Sequence, residues 1–156
     1  MNNDALAQVL LQFAFAMVGT LFFSIRFAVP RRALLHSALV GAVGWLVYEL
    51  AVFYGMSAEA ASLLAVIPLT MLARAFAILL KAPVTVFLLC GIFPLVPGAG
   101  IYYTAYYFIQ NDNALAASHG LATFKVAVAL AIGISVVLSI PLPKKLFLGR
   151  AQKPSK

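Results

Sequence analysis

Charge is scarce in this 156-residue chain: 10% of its residues are Asp, Glu, Lys or Arg, and only four of those are acidic. That is too little to solvate the surface of a water-soluble domain, and no long polar stretch supplies one elsewhere. Cysteine occurs once, as Cys90 inside an apolar run, so no intramolecular disulfide can staple the fold. Two histidines and four scattered carboxylates make no metal-ligand cluster. There is also no phosphate-binding loop and no nucleophile–base pairing of recognisable spacing. The pattern excludes an enzyme and calls for neither cofactor nor metal.

What is present is hydrophobicity: 64% of the chain, with a mean hydropathy of +1.03. A membrane span needs about 20 apolar residues. Five such stretches can be read, at Ala5–Ile25, Ala33–Tyr54, Glu59–Leu80, Val84–Gln110 and His119–Ile140. The expectation is an all-α, polytopic bundle of five transmembrane helices over residues 1–143, followed by a basic cytoplasmic tail, 144–156. The first stretch follows no positive segment and precedes no convincing cleavage site, so it reads as a retained span. No internal repeat is found.

The charges sort by sign between the spans. Arg26, Arg31 and Arg32 fill the first gap, Lys81 the third, and Lys144, Lys145, Arg150, Lys153 and Lys156 the tail. The other gaps hold Asp4, Glu59 and Asp112. Short cytoplasmic loops collect Lys and Arg, which orients the chain N-terminus outside, C-terminus inside. Every base except Lys125 then lies in the inner half, and all four acids lie in the outer half. The net charge of +7 is juxtamembrane and suits anionic lipid, not nucleic acid.

The fourth stretch resists reading as one helix. A continuous helix over it would run ~40 Å at ~1.5 Å per residue, against a hydrocarbon core of ~30 Å. Its middle reads Phe93-Pro94-Leu95-Val96-Pro97-Gly98-Ala99-Gly100. Each proline removes a backbone donor and crowds the preceding turn. The expected form is a half-helix from Val84 to about Phe93, an unwound stretch, and a second half from about Ile101. Free N–H groups near Gly100–Tyr102 would suit a carboxylate, and carbonyls around Ile92–Leu95 a cation or ammonium. A structural proline kink is the plainer alternative. Among the aromatics that follow, Tyr102 and Tyr103 are placed to offer hydroxyls to a ligand, and those nearer Gln110 form an interfacial belt.

The run Pro94-Leu95-Val96-Pro97-Gly98 followed by Tyr102 resembles the threonine/serine exporter family. More narrowly, it is similar to the small five-span unit that forms the C-terminal half of fused members or stands as a separate subunit. Arg74 ahead of Pro83, Gly44-Trp45 in span two and Gly133-Ile134-Ser135 in span five extend the resemblance over roughly residues 10–140. It implies secondary-active efflux of threonine and serine, or of small organic (dicarboxylic) acids, across the bacterial inner membrane. It also implies a larger partner subunit, with self-association as the other route to an oligomer. A membrane scaffold that stabilises a partner without transporting is the rival reading.

Ionisable groups within spans are costly and mark candidate sites. Arg74 either snorkels to the inner surface or holds an anion or gates at the break; the resemblance favours the latter. Glu49 and Lys125 match no motif of the family; they are read as an ion pair across spans two and five, with proton carriage by Glu49 as the alternative. His36 and His119 open spans two and five, near an interface, and His36 is a candidate for proton coupling. Ser37, Gly41 and Gly44, like Ala129, Gly133 and Ser135, read as faces for close helix packing.

Overall fold

The computed structural model describes residues 3–141, with side chains from residue 7 onward; the basic tail lies outside the described residues. Six α-helices form: α1 (Asn3–Arg26), α2 (Arg31–Phe53), α3 (Ala58–Leu80), α4 (Val84–Gly91), α5 (Gly98–Ile109) and α6 (Asn113–Ser139). A 3₁₀ turn, Phe93–Leu95, follows α4. No strand occurs among the described residues. α1, α2, α3 and α6 are each long and apolar enough to cross a membrane. α4 and α5 pass the same test together across a bend of 55°, which makes them a candidate fifth span. The fold is a helical membrane bundle with its fourth span broken.

Local chemistry sets the helix ends. α1 closes with Ala28 at φ 54°, where the Val29 N–H reaches back to Ser24 O, and Pro30 then opens α2. Gly55, at φ 84°, ends α2 in the same way, supplying a conformation that glycine adopts without strain. Ser57 caps α3 by accepting from Ala60 N–H, and Asp112 caps α6 by accepting from Leu115 N–H at 3.0 Å. This second cap corrects the expected start of span five: the helix begins at Asn113, ahead of His119, because Asp112 satisfies its first turn.

The helices line up as α1–α2–α3–α6–α5, each packed on the next. α4 departs from this row and sits in the groove between α2 and α3, with its far end against α1. Lipid tails are as apolar as leucine, so close backbone approach, not hydrophobicity, selects these contacts. Gly91 of α4 lies where a methyl group would collide with Val40, and Gly133 of α6 where one would collide with Val66. Ser37, Gly41 and Gly44 are buried as expected for a packing face, whereas Ser135 is exposed. Phe87, Leu69 and Val66 centre the core.

Candidate functional site

The break in span four is built by three consecutive departures from α-helical geometry. Ile92 still carries α-helical angles, and Phe93–Leu95 tightens into the 3₁₀ turn. Val96 is extended, and Pro97 bends the chain so that the Gly98 N–H bonds Val96 O at 2.7 Å. α5 then starts at Gly98, three residues earlier than expected, because Pro97 serves as its N-cap without needing an N–H of its own. The first bond of α5 runs from Ile101 N–H to Pro97 O, so the Ala99 and Gly100 N–H groups have no helical acceptor. No side chain caps them. The carbonyls differ from expectation as well. Ile92 O accepts from Leu95 N–H and Phe93 O from Val96 N–H, which removes two of the acceptors foreseen for a cation.

The break faces a groove of about 340 Å³ between α1 and α2. Phe93 and Pro94 form one wall, Thr20 and Phe23 of α1 another, and Gln12 with Trp45 the polar end. Phe93 stacks on Phe23 with ring centroids 3.5 Å apart. Trp45 donates its indole N–H to Gln12 Oε1 at 2.9 Å, a bond that spans α1 and α2. The amide group of Gln12 therefore keeps two N–H donors at the edge of a groove whose other walls are apolar. Thr20 and Ser24 turn their hydroxyls back onto Ala16 O and Thr20 O of their own helix. The arrangement can hold a small solute carrying a polar group at one end.

The sequence-nominated residues divide between several places. Pro94 lines the groove, and Pro97 and Gly98 lie beyond its lining, at the start of α5. Gly100 meets α6, where a methyl group would collide with Thr123. Tyr102 is 62% exposed and stacks on Tyr106 along the open face of α5. Tyr107 stacks on His119 of α6 and Tyr103 packs against it at a tilt, so this histidine belongs to an aromatic cluster between the two helices. Arg74 points away from the break. Its guanidinium donates to the carbonyls of Val137 and Ile140, closing the C-terminal end of α6.

Glu49 and Lys125 form no ion pair among the described residues, correcting the expected pairing. α3 stands between α2 and α6, and Lys125 instead shares a depression with Glu59 of α3. His36 sets its ring edge-on to Phe76 at 4.8 Å, and its buried Nδ1 has no hydrogen-bond partner.

Sequence reasoning passed over Gln12 altogether and gave Trp45 no role. The available signal was an amide in an otherwise apolar span, shared with Gln8 one turn earlier. The partner of Gln12 lies a full helix away and could not be read from spacing.

Irregular backbone at membrane depth is tolerated only where protein or a watery cavity covers it. A discontinuous span beside a partly polar groove is the architecture of a secondary transporter's binding region. Residues 12–140 match the family model described as Threonine/Serine exporter, ThrE, and the chain belongs to that family of membrane transporters. No solved structure matches it.

Proposed function

We propose that this chain is one subunit of a secondary-active exporter that moves threonine and serine across the bacterial inner membrane, and that it handles its substrate at the span-four break. The observation that carries this reading is the break itself, opening on the Gln12–Trp45 groove in a chain of the exporter family. The Ala99 and Gly100 N–H groups, at the positive end of the α5 dipole, suit the substrate carboxylate. The Gln12 amide suits a side-chain hydroxyl or the carboxylate of an approaching substrate. The N-terminus lies outside and the C-terminus inside, as the charge distribution directs.

A larger partner subunit completes the pathway. α5 contributes no buried residue, and five spans are few to enclose a conduit. In this reading Arg74 acts by fixing the end of α6, and so the frame on which α5 is carried.

The test is efflux of labelled threonine and serine from dipeptide-loaded cells. It compares this chain alone, the family's larger subunit alone, and the two together. Efflux with both and with neither singly is the expected result. Absence of efflux in all three, with both proteins in the membrane, would overturn the substrate assignment and direct the assay to dicarboxylic acids.

A further inference from the structure

Lys125 is the base that the charge sorting leaves unexplained, and its surroundings give it a purpose. α3 and α6 run in the same direction: Gly133 meets Val66, and Arg74 reaches Val137 and Ile140. Between them lies a depression of about 380 Å³. Its body is apolar, formed by Leu63 of α3 with Val128 and Ile132 of α6. At one end sit two opposite charges, Glu59 and Lys125, which line it without forming a hydrogen bond to each other. Glu59 stands in the first turn of α3, directly after the Tyr54–Ser57 turn, so this end lies at the membrane boundary. Lys125 is exposed, and a lysine there reaches the headgroup layer along its own stem.

We infer that this groove is a binding site for a phospholipid with a primary-amine headgroup. One acyl chain lies along Leu63, Val128 and Ile132. Lys125 takes the lipid phosphate, and Glu59 takes the ammonium. The charge pattern selects this occupant. A zwitterion with anion and cation a few ångströms apart satisfies both residues, which a purely anionic headgroup does not. The ammonium donates hydrogen bonds to the Glu59 carboxylate, which a choline nitrogen cannot do. The volume falls within the ~300–1,000 Å³ typical of sites for small ligands. An ion pair held at some distance thus becomes a bridge through the ligand.

The experiment is native mass spectrometry of the detergent-solubilised protein titrated with dioleoyl phosphatidylethanolamine, phosphatidylcholine or phosphatidylglycerol. One phosphatidylethanolamine is expected to be retained at several-fold lower lipid concentration than either of the others. Glu59→Gln should bring phosphatidylethanolamine down to the level of phosphatidylcholine. Lys125→Gln should weaken both of these lipids together. Thermal unfolding in detergent is measured alongside, and Lys125→Arg, which keeps the charge, should retain the lipid. Equal retention of the three lipids by the unaltered protein would overturn the assignment. So would a preference for phosphatidylethanolamine that survives both neutral substitutions.

Discussion

The two halves of span four are alike in sequence and opposite in setting. α4 and α5 both lack charge and are uncapped by any side chain, and each begins after a proline, although α5 carries four tyrosines. Yet α4 buries Phe87, Cys90 and Gly91 against its neighbours, whereas α5 buries nothing and rests chiefly on α6. Hydrophobicity does not separate them, because in a bilayer both settings are apolar. Small residues in register do. Gly91 lets α4 approach Val40 in the α2–α3 groove, while Gly100 lets α5 approach Thr123 of α6 and leaves its other faces open. The break therefore joins a fixed half to a half held chiefly by one neighbour, and the Gln12–Trp45 groove meets it at Phe93 and Pro94, on the fixed side.

This contrast can be broken most forcefully at Gly91. Gly91→Leu should unseat α4, since overpacking a tight contact costs ~1–3 kcal/mol even where neighbours yield. The expected readout is loss of a monodisperse peak in detergent gel filtration. Gly98→Ala, where nothing lies within 4 Å of the added methyl, should leave that peak intact.

Arg74→Ala comes next. It leaves the Val137 and Ile140 carbonyls without their charged donor, a hydrogen bond of a kind worth about 1.5–3 kcal/mol, discounted for its partly exposed position. The midpoint of thermal unfolding in detergent should fall, and efflux per folded molecule should change little. A loss of efflux at unchanged stability would move Arg74 back into the pathway.

Gln12→Leu sharpens the comparison on the groove side. The two amide N–H donors assigned to the substrate are lost, and a hydrogen bond worth about 0.5–1.5 kcal/mol would raise the apparent KM for threonine up to roughly tenfold. Loss of the Trp45 bond should lower stability by about the same amount. The smallest effect is expected at Tyr106→Ala on the open face of α5. There a stability change within about 0.5 kcal/mol, measured on the isolated chain, should accompany unaltered insertion.

The spans were legible in the sequence because hydropathy and the charged gaps mark the same boundaries, whereas the Asp112 cap that starts α6 ahead of His119 was not read. The break was legible too, since Pro94, Pro97 and Gly98 permit little else. Its exact form was not. Whether α5 begins at Gly98 or Ile101 depends on Pro97 serving as a cap, and whether the carbonyls stay free depends on a 3₁₀ turn that composition does not announce. The site lay largely beyond sequence reasoning for a different reason. Gln12 with Trp45, Arg74 with Val137 and Lys125 with Glu59 are meetings between distant segments. They are decided by the order in which helices pack, and that order is set by a few glycines. The expected Glu49–Lys125 pair fails on this point, because α3 occupies the space between their helices.

The most direct measurement straightens the break. The combined variant Pro94→Ala, Pro97→Ala, Gly98→Ala removes the two helix-breaking residues and the glycine while keeping every long-range packing contact of α4. It is expressed with the larger subunit, its membrane level is matched to the unaltered chain, and threonine efflux is recorded. The account predicts full insertion with efflux reduced to background. Efflux at the unaltered rate through a continuous fourth helix would contradict it.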